Sequence, residues 1–216
     1  MRAGNVSYVS ANDLPDTVPL FPLTGALLLP GGQMPLNIFE PRYLEMVDHA
    51  MRSDRIIGII QPALDGAENG LCNVGCLGRI ITLSETGDGR LLMTLAGICR
   101  FRLVEELSVR SPFRQAHVAP MLTDLVAQDG KDVDRESLLS AFRSFLKANN
   151  MDADWKSVTK ADNAMLVNAL SMMSPYGPAE KQALLEAPDL KSRAETLVAI
   201  TEIMLARSGD AGSTLQ

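Results

Sequence analysis

Residues 14–51 read LPDTVPLFPLTGALLLPGGQMPLNIFEPRYLEMVDHAM. Pro15, Pro19, Pro22, Pro30, Pro35 and Pro41 stand among apolar residues, so no long helix forms before Glu40. The stretch therefore reads as short strands and tight turns, with Gly31-Gly32 supplying backbone freedom. A helix follows at last. Pro41 suits its first turn, Glu40 puts a negative charge at its positive end, and Tyr43, Met46, Val47, Ala50 and Met51 recur at helical spacing. One face of that helix is expected to be buried.

Downstream of this helix and up to about Pro120, the chain keeps a strand grammar. Arg55 to Gln61 (RIIGIIQ), Gly78 to Ser84 (GRIITLS), Arg90 to Ala96 (RLLMTLA) and Ile98 to Val104 (ICRFRLV) are the expected strands, and Thr86-Gly87-Asp88-Gly89 is a hairpin signal. In the last run Cys99, Phe101 and Leu103 alternate with Arg100 and Arg102, which predicts that both arginines point outward. Short, mostly antiparallel strands with one helix suggest a small barrel, since closing a sheet removes its edges. After Met121 the grammar becomes helical. Glu136 to Asn149 carries Leu138, Leu139, Phe142, Phe145 and Leu146 on one face, and a second helix is expected from Lys160 to Met173, with Thr159-x-x-Asp162 read as a capping box. Met165 and Met172 are expected to pack inward on it. A short helix from Pro178 to Ala187 and a last one from Leu190, ended by Gly209, complete the series. The organisation expected is a β-rich part over 14–120 and a helical part over 130–208, joined by a linker from Met121 to Val133 and flanked by polar, mobile tails.

The pattern F-P-L-x(5)-L-P-G-x(2)-x-P-L-x-I-F-E-P-R-Y-x(2)-M resembles the opening of the substrate-binding domain of Lon proteases, and SPYGPAEKQALLEAPDLKSRAETLVAITEIML resembles the helical second half of that amino-terminal domain. The likeness spans about Leu14 to Arg207. It implies an α+β fold, a PUA-like pseudo-barrel of mostly antiparallel strands with one helix followed by a helical bundle. It also implies a free-standing relative without ATPase or peptidase modules. By the same likeness, V-G-C-L-G-R-I is a turn leading into a barrel strand, and Cys76 a small buried packing residue.

The residues carry little chemistry. No G-x(4)-G-K-[ST] loop occurs, and Gly130-Lys131-Asp132 lacks both the upstream glycine and the Ser/Thr. Lys191-Ser192 is an adjacent pair on one helix, whose side chains point apart. His49 and His117 are the two histidines, and neither lies in a metal-binding or catalytic context. Cys72-Asn-Val-Gly-Cys76 supplies half of a zinc site at most. No catalytic residue, cofactor or metal is therefore assigned. The net charge of −6 argues against affinity built on phosphate neutralisation, although all ten basic residues before Pro120 are arginines. The absence of a leader-like start and of a run near ~20 apolar residues leads to the expectation of a cytoplasmic protein that does not enter membranes.

Taken together, the preferred reading is a non-enzymatic domain that binds exposed or unfolded polypeptide segments, as an adaptor to a separate protease or as a holdase. An extended chain would add to a free strand edge or rest between barrel and helices. Phe21, Met34, Leu36, Phe39 and Tyr43 are the candidate contact residues. A nucleic-acid-binding PUA-like module is the first alternative, with the arginine set as its motive. An unrecognised small-molecule enzyme is the second, and it would require a pocket with convergent polar groups.

Overall fold

A computed structural model describes residues 1–67 and 69–213, with side chains up to residue 207. Eight strands and six α-helices occur among the described residues: β1 (Arg2–Ala3), β2 (Val6–Ser7), β3 (Thr17–Pro22), β4 (Gln33–Ile38), α1 (Pro41–Met51), β5 (Ile56–Pro62), β6 (Leu71–Glu85), β7 (Leu91–Glu106), β8 (Arg114–Pro120), α2 (Arg135–Ala148), α3 (Trp155–Lys160), α4 (Asn163–Met173), α5 (Pro178–Glu186) and α6 (Leu190–Ser213). This is the α+β class expected from the sequence. The chain divides into two compact units, one of Met1–Ala127 with Pro175–Leu185, the other of Gln128–Ser174 with the chain from Glu186 onward.

The β-rich unit is a closed ring with one strand appended. The sheet order is β4-β7-β6-β5-β3-β8, and β8 pairs a second time with β7, so β7, β6, β5, β3 and β8 form a barrel. β3 and β5 pair in parallel, Leu20 opposite Gly58, and the connection between them carries β4 and α1. Every other pairing in this sheet is antiparallel. β7 makes the closure possible because it changes partner along its length. Residues Leu91 to Ala96 pair with β4, and Phe101 to Glu106 pair with β8.

Between these two partners β7 does not break at Gly97, where two separate strands were expected. Gly97 donates to Gly32 O and accepts from Gly31 N, both at 2.9 Å, and a Cβ at Gly97 would sit 2.1 Å from Leu29 O. A glycine is required there for close backbone approach, and the 16-residue strand continues through it. The strand before it is also longer than its sequence suggested, since the Cys72 to Cys76 segment lies within β6 and is no turn. Cys76 is buried, as expected. The interior is filled by Val18, Leu20, Ile56, Ile60, Leu77, Ile98, Cys99, Phe101 and Val118. Ala3 and Tyr8 join this core, so the amino-terminal segment, expected to be a mobile tail, forms a two-stranded ribbon against it.

The segment Met121 to Ala127, expected to belong to a linker, is likewise held within this unit. Residues Leu122–Leu125 form a 3-10 turn whose Asp124 and Leu125 are buried. α5, which the sequence grammar places among the helices, belongs to the β-rich unit apart from its last residue. Buried amides hold it: Gln61 accepts from Gly25 N at 2.9 Å and donates to Pro178 O at 2.9 Å and to Gln182 Oε1 at 3.1 Å, while Gln182 donates to Val74 O at 3.1 Å.

In the helical unit α2 buries Leu138, Ala141, Phe145 and Leu146, and α6 buries Leu190, Ala194, Leu197 and Ile200. Aspartates start the helices. Asp134, Asp154 and Asp162 accept from the backbone N–H of Ser137, Ser157 and Met165. Asp162 is thus the N-cap of α4 and not the third residue of a box begun by Thr159, because Ala161 is extended and separates α3 from α4. That register buries Leu166, Val167 and Leu170 and leaves Met165 exposed, against the expectation that it packs inward. α6 continues past Gly209 to Ser213.

Candidate functional site

The five residues proposed from sequence fall into two places on the β-rich unit. Phe21 at the end of β3 and Tyr43 in the first turn of α1 are both buried, with ring centroids 4.3 Å apart. Met34 and Leu36 share one face of β4 with Ile38 and are half-buried. Phe39, just beyond β4, is 61% exposed.

β4 ends the sheet order, and it pairs with β7 along one edge while its other edge meets no described strand. Its side chains alternate between exposed Gln33, Pro35 and Asn37 and more buried Met34, Leu36 and Ile38. Pro35 fits this position because an edge strand tolerates a residue that cannot donate to a ladder. The register sets Asn37 opposite Leu92 and Ile38 opposite Leu91, so Phe39 follows on the Leu92 face. Leu92 is 48% exposed, and the Arg90 guanidinium lies 5.8 Å from the Phe39 ring. An unpaired strand edge with exposed apolar side chains beside it can accept an extended chain through backbone bonds.

A second feature lies at Tyr43. A cleft of about 370 Å³ is lined by Arg42, Tyr43, Leu71, Phe113 and Arg114 and by prolines 22, 62 and 112 among others. Arg42 stacks over the Tyr43 ring at 4.5 Å and pairs with Glu40 at 2.8 Å, and Arg114 is ion-paired with Glu106. Burial raises the Tyr43 hydroxyl above its ordinary range, so it stays protonated at neutral pH.

Sequence reasoning missed the most buried charges of the unit. Arg100, expected outward, is buried against Asp124, with Nε to Oδ2 at 2.8 Å and Nη2 to Oδ1 at 2.9 Å. Its Nη1 donates to Leu185 O of α5 at 3.0 Å. The 3-10 turn and α5 cover this side of β7, which local alternation alone could not foretell. Other arginines of the set are tied locally: Arg90 pairs with Asp88, and Arg79 donates to Asp54 O. Cys99, beside Arg100, has its thiol pushed up to about 12, first by burial and then by the Asp124 carboxylate, which leaves it protonated and unreactive. Among the described residues no three His, Cys, Asp or Glu side chains are grouped to hold a metal, and no helix is long and apolar enough to cross a membrane.

Residues 17–202 match the family model of the ATP-dependent protease La (LON) substrate-binding domain. The chain belongs to this Lon substrate-binding domain family. Similar relatives are a Lon protease of Parabacteroides distasonis, 30% identical over 86% of this chain and 24% of its own, and a Lon protease of Syntrophus aciditrophicus, 25% identical over 89% and 26%. The chain thus spans about a quarter of the length of the curated relatives it matches. Among solved structures, a Lon N-terminal domain protein from Xanthomonas campestris superposes with a TM-score of 0.63 at 26% identity, covering 85% of this chain and 97% of that one. The N-terminal domain of a Mycobacterium avium complex Lon protease shares the fold, with a TM-score of 0.59 at 18% identity over 86% and 98%.

Proposed function

We propose that this domain recognises exposed, extended segments of other polypeptides by adding them as a strand to β4, and that it acts as an adaptor for a separate protease or as a holdase. The observation that carries the reading is the open edge of β4, flanked by exposed Phe39 and Leu92 and by half-buried Met34 and Leu36, in a chain of the Lon substrate-binding family. Strand addition suits a domain that meets many sequences, because backbone groups are common to all of them and only the side-chain pockets discriminate. Phe39 is the anchor, and Met34 and Leu36 shape the rim. Phe21 supports Tyr43 from within and makes no outward contact of its own.

The test is binding of unfolded casein to the purified domain, compared with Phe39→Asp. An exposed residue tolerates this change, so the variant keeps its fold by circular dichroism and loses at least tenfold in affinity. Unchanged affinity in the variant would remove the β4 edge from the site, and no binding to either protein would end the reading.

A further inference from the structure

We propose that the cleft beside Tyr43 is a carboxylate-recognition site that takes the free carboxyl terminus of a client polypeptide whose last side chain is apolar. The inference rests on the polypeptide-recognition reading and extends it to a second contact on the same unit.

Three donors line the cleft with capacity to spare. Arg42 sends Nε and Nη2 to a single oxygen of Glu40, and Arg114 sends Nε and Nη2 to Glu106 Oε2 and Nη2 also to Asn69 O. Among the described residues, Nη1 of each arginine and the Tyr43 hydroxyl have no hydrogen-bond partner. Glu40 and Glu106 hold the guanidiniums and are not among the described lining residues, and no carboxylate stands among the described residues that line the cleft. Asp65, in the neighbouring loop, is turned to Ala67 N and does not line it either. The charged side chains among the described lining residues are therefore the two arginines, each already ion-paired, and arginines fixed by other partners present donors at low entropic cost.

Apart from Asn69 and Gly70, the remaining described wall is apolar, with Pro22, Pro62, Leu71, Pro112 and Phe113. A charged end adjoining an apolar body matches this division. A volume of about 370 Å³ lies at the small end of ligand pockets. It holds the last residues of a chain and not a length of strand. The neutral Tyr43 hydroxyl donates alongside the two guanidiniums, as capture of a terminal carboxylate requires.

The experiment is calorimetric titration of the domain with three decapeptides: one ending in Ala-Phe as the free acid, the same peptide as its amide, and an amidated peptide with an internal Asp-Phe. The free acid is expected to bind at least tenfold more tightly than either amide. Arg42→Gln and Tyr43→Phe should each abolish or sharply reduce that preference. Arg42 is more than half exposed and Tyr43→Phe keeps the ring, so both variants retain the fold. Equal affinity for acid and amide overturns the proposal while casein binding by the wild type upholds the broader reading. Equal affinity for the internal aspartate overturns the chain-end assignment in favour of an acidic side chain. If casein and all three peptides fail to bind the wild type, both readings fall.

Discussion

Arg100 and Asp124 meet inside the β-rich unit as a bidentate pair, their side chains 2% and 3% exposed. Asp124 Oδ2 also accepts from Arg100 N at 2.9 Å, and Met121 N donates to Arg100 O at 2.7 Å. The Arg100 side chain therefore ties β7, the 3-10 turn and α5 together, while Asp124 Oδ2 and Met121 N satisfy the Arg100 backbone in the part of β7 that lies between its β4 and β8 pairings.

Removing one partner strands the other charge in the interior. Asp124→Ala is expected to destabilise the protein by about 3–5 kcal/mol, read from urea unfolding followed by circular dichroism. Replacing both, as Arg100→Met with Asp124→Leu, should recover much of that loss, since two apolar residues leave no charge unpaired. A double variant no more stable than Asp124→Ala would show that the pair contributes net stability that apolar packing does not replace.

Gly97 presents a steric version of the same question. Its added Cβ would meet backbone, Leu29 O at 2.1 Å, which cannot swing away as a side chain could. Gly97→Ala should cost about 3 kcal/mol or more by thermal or urea unfolding. Gly87→Ala in the β6-β7 hairpin, where an added Cβ meets nothing within 4 Å, should leave stability within about 0.5 kcal/mol.

These two sites also mark where local sequence stops being informative. The helix start at Glu40-Pro41 and the hairpin at Thr86 to Gly89 were legible because proline and glycine act on their immediate neighbours. The apolar run from Ile56 to Ile60 was legible as a strand, and its burial on both faces agrees with the absence of alternation. Arg100 and Gly97 depend on segments distant in the chain, Asp124 and Leu185 for one and Leu29 for the other. A period of two predicts an outward arginine until another element covers that face. At the candidate site, the prolines marked the stretch as short strands and turns, yet only the fold shows that β4 is an edge and that Phe39 is exposed while Phe21 is not.

The cysteines give a chemical check on burial. Cys72 is half-buried at the start of β6, whereas Cys76 and Cys99 are buried and the Cys99 thiol is raised to about 12. Because the thiolate is the reacting form, native protein at pH 8 should show one readily titrated thiol with Ellman's reagent and three in guanidinium chloride. Cys72→Ser should abolish the native reaction. Rapid modification of two or more thiols in the native protein would contradict the barrel interior described.

The last prediction separates strand addition from general greasiness. In an antiparallel or parallel addition, alternate residues of the client turn their N–H toward β4 and the others turn it to solvent. A client peptide methylated on backbone nitrogens of one alternate set should therefore lose at least tenfold in affinity, whereas methylation of the other set should leave binding nearly intact. Pro35 removes one donor from the strand, so this edge offers fewer N–H groups than carbonyls, and the client's own N–H groups carry much of the ladder. Phe39→Asp should weaken both peptides by a similar factor, because its side chain acts on apolar client residues and not on the ladder. Equal binding of the two methylated peptides, with Phe39→Asp still harmful, would show that clients rest on the Phe39 and Leu92 surface without extending the sheet.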